Sequence, residues 1–269
     1  MKKRITIKDV AREAGVSVAT VSYVMNNRTD IQISEKTRKK VLQISNLLGY
    51  TPNQAAQALA TSQKRMLAIY MPESTSVLVK ADQMYVLDFL SSFLQSKNYG
   101  LVYLSADYTE RYDRADAIVC YDASSDHFHQ IGDRNFVPLL ALDCLIADNW
   151  LFFQVNTDYK RLSADAAAQL GSDYTLLLLD TPNQEKKALL DGLFPSVAYV
   201  SAPAALTEYA DRPVLIVQQA LRECLAPLMK ADARMYYAPL MTTQKAEALF
   251  ACMERAMERT PAESHDIQI

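Results

Sequence analysis

The chain is short of several residue types, and each shortage closes off a class of function. Only 6 glycines occur in 269 residues. None builds a Gly-rich phosphate loop or a Gly-x-Ser-x-Gly elbow, devices that need backbone able to turn sharply or approach a ligand closely. The 4 cysteines, Cys120, Cys144, Cys224 and Cys252, are scattered without a Cys-x-x-Cys pair or metal spacing. Four reduced thiols are therefore expected, with Cys144 and Cys224 in apolar surroundings. No apolar run approaches the length of a membrane span. The N-terminus opens Met-Lys-Lys-Arg with no apolar stretch behind it, so no signal peptide is expected and the cytoplasm is the expected compartment. Of the 3 histidines, two stand as His127-Phe128-His129 near Asp122 and Asp126. That grouping raises a metal or acid–base site, but no third ligand follows at a clear spacing, and it reads as a polar surface patch. No metal, no cofactor and no enzymatic activity are expected.

What is present is an uneven distribution of charge. The net charge is −3, yet residues 1–65 hold 12 Lys+Arg against 4 Asp+Glu, a net of +8. Residues 66–269 hold 16 against 27, a net of −11. A basic head on an acidic body suits a polyanion binder whose body stays off the polyanion.

The head has the layout of a helix-turn-helix. Thr6 and Asp9 are spaced as a carboxylate variant of the capping box. Val10 and Ala14 share one helical face. Gly15 supplies the turn, and Ser17 is placed to cap a second helix from about 18 to 25. Val21 and Val24 would face the first helix, leaving Val18, Ala19, Ser22 and Tyr23 outward. The alternative is an ordinary helical hairpin in a core, but caps, turn and outward polar face all point the other way. A third helix is expected from Ser34 to Leu48, stopped by Gly49, with Val41, Ile44 and Leu48 inward and Lys36, Arg38, Lys39 and Lys40 outward for phosphates. After Pro52, residues 53–60 form a short alanine-rich segment, marginal as an isolated helix.

These residues resemble the LacI/GalR family of bacterial transcription regulators. The match runs through Thr6-Ile7-Lys8-Asp9-Val10-Ala11, Ala14-Gly15-Val16-Ser17, Thr20-Val21-Ser22, Asn26, Ser34, Thr37-Arg38, Val41, Leu48-Gly49-Tyr50, Pro52-Asn53, Ala56 and Leu59. The resemblance implies DNA contacts from Thr6, Ser17, Val18, Ala19, Thr20, Ser22, Tyr23, Asn26, Asn53, Ala56 and Leu59. Val18 and Ala19 stand at the positions that set operator choice, and both are suited to thymine methyls. Tyr23 stands where the family usually has arginine, so the operator is expected to depart from the common one at that base pair. Residues 53–60 match the hinge helix, with Leu59 as the minor-groove wedge; a flexible linker is the alternative.

The rest matches the family in outline. Strands are expected at 66–70, 101–104, 117–120, 137–142, 152–155, 175–179, 197–200, 214–217 and 235–237. Helices are expected at 80–96, 159–170, 184–194, 218–229 and 243–258, and the tail from Thr260 is expected to fray. Strands alternating with helices predict parallel α/β sheets. The fold expected is thus an all-α helix-turn-helix head (1–51), a hinge helix and linker (52–65), and an α/β periplasmic-binding-protein-like body (66–269). The body divides into parallel-sheet subdomains at about 66–155 and 156–240, with a C-terminal segment crossing back. It is shorter than the family norm, so some elements should be missing.

The effector residues of the sugar-type relatives are not found. Leucine stands at 189, where their arginine falls three residues before a glycine, and Val217-Gln218-Gln219 replaces their Asn-Asp. Asp143 and Asp158 match family positions and are candidate effector contacts, or equally strand-end caps or hinge bonds. The expected partners are double-stranded operator DNA and a second copy of the chain, without a membrane. A small-molecule effector stays open. The body either binds one of different chemistry, answers to a protein partner, or only dimerises the heads. A non-specific architectural DNA-binding role is the rival reading.

Overall fold

A computed structural model describes residues 5–25, 28, 31–48, 50, 64–105, 108, 110–147, 152–259 and 264–269. The chain divides into two compact units between Lys64 and Arg65.

The head holds α1 (Ile7–Ala14), α2 (Val18–Met25) and α3 (Glu35–Leu48). Its core is Val10, Ala11, Ala14, Val21, Val24 and Val41, with Ile44 and Leu48 packed at the edge. The capping box is formed: the Thr6 amide donates to Asp9 Oδ2 at 2.9 Å, and the Thr6 hydroxyl donates to the same oxygen at 2.7 Å. Gly15 ends α1 at φ 66°, a left-handed conformation that taxes any residue with a Cβ. Its amide and that of Val16 return to Arg12 and Ala11, closing the helix end. Ser34 caps α3 through the Thr37 amide at 3.2 Å. Ser45 is buried beside the valines, its hydroxyl 3.7 Å from Met25 Sδ.

The body is two parallel sheets. Lobe 1 has six strands in the order β10-β5-β4-β3-β1-β2. These are β1 (Met66–Tyr70), β2 (Gly100–Leu104), β3 (Ala117–Tyr121), β4 (Leu139–Leu142), β5 (Phe153–Asn156) and β10 (Asp266–Gln268). Lobe 2 has four, ordered β7-β6-β8-β9: β6 (Thr175–Leu179), β7 (Val197–Val200), β8 (Val214–Ile216) and β9 (Met235–Tyr237). Both faces of each sheet are covered, which is why the strands read as nearly unbroken apolar runs. In lobe 1, Leu67 and Ile69 pack with α4 (Val77–Ser96) and α9 (Thr243–Glu258), while Ala68 and Tyr70 pack with α5 (Ser125–Gly132). In lobe 2, Leu176 and Leu178 face α6 (Tyr159–Leu170) and α7 (Gln184–Leu193). Leu177 and Leu179 face α8 (Gln219–Leu225) and the 3-10 turn Pro203–Tyr209. The chain enters lobe 2 after β5 and returns to lobe 1 after β9.

Three expectations need correction. The tail is not frayed at its end: β10 pairs in parallel with β5, Asp266 beside Gln154 and Gln268 beside Asn156. Ile267 and Ile269 pack on the lobe 1 core, and the His265 ring lies 4.6 Å from that of Phe153. A helix that was not expected, α5, capped by Ser124, carries His127 and His129, both exposed. The helix expected at 218–229 stops at Leu225 and tightens into a 3-10 turn, because Pro227 supplies no amide to continue it. Cys120, Cys144 and Cys252 are buried, while Cys224 is only partly so. Among the described residues, no helix is long and apolar enough to cross a membrane.

Candidate nucleic-acid interface and body cleft

In the head, the first turn of α2 carries the outward residues. Val18 is 41% exposed and Ala19 is also exposed, because Val21 and Val24 on the opposite face are fixed in the core. Ser17 caps the helix through the Thr20 amide at 3.0 Å, and the two hydroxyls pair at 2.8 Å. Ser17 and Thr20 therefore hold the turn that presents Val18 and Ala19. Thr6 is engaged by Asp9, whose carboxyl is held below its ordinary range by the Thr6 hydroxyl and amide and then by Arg12. Ser22 and Tyr23 are half-buried. Arg28, which sequence reasoning passed over, sits with its guanidinium 5.8 Å from the Tyr23 ring centre, and its amide returns to the Tyr23 carbonyl at 3.0 Å. The missing signal was an arginine five residues beyond the tyrosine. Lys36, Lys39 and Lys40 are exposed on α3. Arg38, expected to face phosphates, instead turns one guanidinium nitrogen toward the Arg28 carbonyl at 3.4 Å. Asn26, Asn53, Ala56 and Leu59, and with them the hinge segment, lie outside the described residues.

In the body, a cleft opens where the strand ends of the two lobes meet, the general location of ligand sites in open α/β sheets. A cavity of about 530 Å³ there is lined by Asp82, Tyr121 and Asp122 from lobe 1 and by Asp180, Lys187 and Gln218 from lobe 2. Across α4 a second cavity of about 490 Å³ is lined by Tyr85, Phe89, Phe93, Tyr237 and Met241.

The candidate effector residues line neither of these two cavities. Asp143 is wholly buried beneath the cleft, bonded by both oxygens to Lys245 at 2.8 Å and accepting from the Thr157 amide at 2.9 Å. Burial pushes its carboxyl up, but Lys245 and Lys186 overcome that and hold it below the ordinary range. Asp158 is the N-cap of α6, accepting from the Arg161 amide at 3.0 Å. Both are thus connector and cap residues. The Asp143 carboxylate is already committed, whereas Asp158 borders a smaller cavity of about 340 Å³ with Arg161, Tyr236 and Lys245. Leu189, at the place of the family arginine, is 41% exposed. The charge that α7 delivers comes one turn earlier, from Lys186, which bonds Asp122 at 2.7 Å. Burial pushes Lys186 down, and Asp122, Tyr159 and Asp143 together more than offset it, so its ammonium keeps its proton more tightly than usual. Asp82 is pushed up to about 6, chiefly by burial, with the Ala220 amide pulling the other way.

Residues 6–53 match the family described as bacterial regulatory proteins, lacI family. The head thus belongs to the LacI family. It is 49% identical over 81 residues to the transcriptional regulator GalS of Salmonella typhimurium, covering 29% of this chain and 23% of that one. It is 30% identical over 185 residues to the regulator pepR1 of Lactobacillus delbrueckii subsp. lactis, covering 64% and 53%. The chain thus spans between about a quarter and about half of the length of these curated relatives. Among solved structures, the lac repressor dimer bound to operator and the anti-inducer ONPF superposes with a TM-score of 0.57 at 17% identity, covering 99% of this chain and 96% of that one. A LacI-family regulator from Silicibacter pomeroyi gives 0.54 at 16%, covering 98% and 96%. The likeness to these structures is one of fold: a helix-turn-helix head followed by a two-lobed parallel α/β body of the periplasmic-binding-protein type.

Proposed function

We propose that this LacI-family chain is a sequence-specific DNA-binding transcriptional regulator, a repressor that acts as a cytoplasmic homodimer on a near-palindromic operator. The observation that carries the reading is the head: a basic three-helix unit whose apolar core fixes α2 and leaves Val18 and Ala19 outward on its first turn. Small apolar side chains there suit thymine methyls, and the lysines of α3 suit phosphates. The two-fold symmetry of a dimer is mirrored in two half-sites. In this reading Asn53, Ala56 and Leu59 join the two copies at the operator centre, with Leu59 as wedge. A second reading adds control by a small molecule between the lobes. The cavity of about 530 Å³ favours it, and the bonds that already join the lobes weigh against it.

Selection of bound sites from random duplex DNA at near-physiological salt tests the proposal. An enriched near-palindrome is expected. Salt-sensitive binding without a motif would favour an architectural DNA-binding protein instead. In the same selection, Tyr23→Arg is expected to shift one half-site position toward guanine, worth about 1–3 kcal/mol of discrimination. An unchanged motif would remove Tyr23 from the readout.

A further inference from the structure

Two-lobed α/β bodies that close around a ligand leave polar groups on their facing walls for that ligand to satisfy. In this body several facing groups already bond one another across the cleft. The first turn of α4, from lobe 1, pushes Leu78 into the core of lobe 2 against Leu177, Leu179, Val200 and Leu221, where it is 3% exposed. At the start of that helix the Ser76 hydroxyl donates to the Ser201 carbonyl of lobe 2 at 2.7 Å. One turn on, Asp82 Oδ1 accepts from the Ala220 amide at 3.2 Å. Ala220 lies in the first turn of α8, where an amide has no acceptor in its own helix. From the other side, α7 of lobe 2 sends two side chains down into lobe 1. The Asn183 amide group donates to the carbonyls of Ala123 at 3.0 Å and Cys144 at 2.5 Å. Lys186 donates to Asp122 at 2.7 Å and to the Asp143 carbonyl at 3.2 Å. The lysine side chain is 6% exposed, so the pair is poorly screened by solvent.

We infer that the body closes on itself, the Lys186–Asp122 bridge and its companion bonds doing the joining that a bound small molecule would otherwise do. An ammonium buried at this place without Asp122 would carry a large desolvation cost, so opening the cleft must either hydrate the pair or break it, and closure is the resting state. A ligand shifts an equilibrium only by its differential affinity for the two states. A molecule entering the remaining cavity finds the lobes already shut and has little left to shift. The inference stands on the body alone and does not depend on what the head binds.

Hydrogen exchange on the dialysed full-length chain, read by mass spectrometry, tests it. With no small molecule added, the segment containing Ala220 and the start of α7 are expected to exchange slowly. Lys186→Met should speed exchange there at least tenfold while the inner strands Ala117–Tyr121 and Thr175–Leu179 keep their protection. Should that variant lose protection throughout, the milder Asn183→Ala and the charge-neutral pair Asp122→Asn with Lys186→Met carry the test, and each is expected to loosen the same cleft segments. Fast exchange at Ala220 in the unmodified, ligand-free chain would overturn the inference. So would cleft exchange unchanged in the folded variants.

Discussion

In the head, the side-chain bonds that set the structure join neighbours: Thr6 with Asp9, Ser17 with Thr20 and Ser34 with Thr37 are each three positions apart and lie at the surface. In the body, the bonds that set the cleft join strangers. Lys186 and Asp122 are 64 positions apart, Lys245 and Asp143 are 102, and Ala220 and Asp82 are 138. The two kinds of bond differ in energy as well as in reach. A surface cap satisfies one orphan amide and contributes roughly 1 kcal/mol. A buried ion pair contributes little net, because desolvation offsets attraction, but removing one member strands the other and costs far more. The head therefore tolerates piecemeal change, whereas the body's cleft residues stand or fall as sets.

The largest test of that contrast is Asp143→Ala. It leaves Lys245, which is 1% exposed, without its carboxylate and deprives the Thr157 amide and hydroxyl of an acceptor. A loss of roughly 3–5 kcal/mol is expected in the body's unfolding transition, measured by urea denaturation. A loss under about 1 kcal/mol would mean that the pair is solvated and the body's sets are no tighter than the head's caps. Adding Lys245→Met to the same chain should recover much of the loss, since the stranded charge is then gone.

Asp82 gives a smaller effect of opposite sign. Its carboxyl titrates at about 6 in the folded chain, against an ordinary value of 3.8. Between those values the folded state binds more protons than the unfolded state. Stability therefore falls as pH rises from about 3.8 through 6, and above that the full penalty is present, about 3 kcal/mol. Asp122 adds to the penalty, while the Ala220 amide and the more distant Lys186 relieve part of it. Asp82→Asn keeps a group able to accept from Ala220 but carries no charge. The variant is expected to be more stable than the parent at pH 7.5 and to lose that advantage as both are taken to pH 4.5, followed by thermal melting. A constant difference across that range would place the titration elsewhere.

The same division of near and far bonds governs what the sequence revealed. Thr6, Gly15 and Ser17 could be assigned caps and a turn because every partner lies within one helical turn. The strands were legible because sheets covered on both faces need apolar runs, and Thr175–Leu179 is almost nothing else. Two elements escaped. In α5, Phe128 and Ile131 are the only buried side chains, too few to display a period. In β10 a single apolar residue, Ile267, stands between two polar ones, and its partner strand is over a hundred positions away. The cleft was the least legible part. Leu189 marked where an expected arginine was missing, but nothing within reach of Lys186 in the sequence says that it meets Asp122. Asp143 and Asp158 were singled out by position in a resemblance, and position could not tell a connector bond or a cap from a ligand contact.

Ser17 offers the smallest effect and separates two roles that the head superposes. Its hydroxyl accepts from the Thr20 amide and pairs with the Thr20 hydroxyl, and its place at the start of α2 also suits a phosphate. Ser17→Ala removes both roles and is expected to cost about 1 kcal/mol of head stability, read as faster hydrogen exchange at Thr20 and Val21. Ser17→Asn retains a capping oxygen and should leave exchange near that of the parent. If the residue acts only by holding the turn that presents Val18 and Ala19, the asparagine variant will bind selected DNA as the parent does. If it also holds a phosphate, that variant will exchange like the parent yet bind all duplexes more weakly, by a similar factor whatever their sequence, because phosphate contacts position the head without reading the bases.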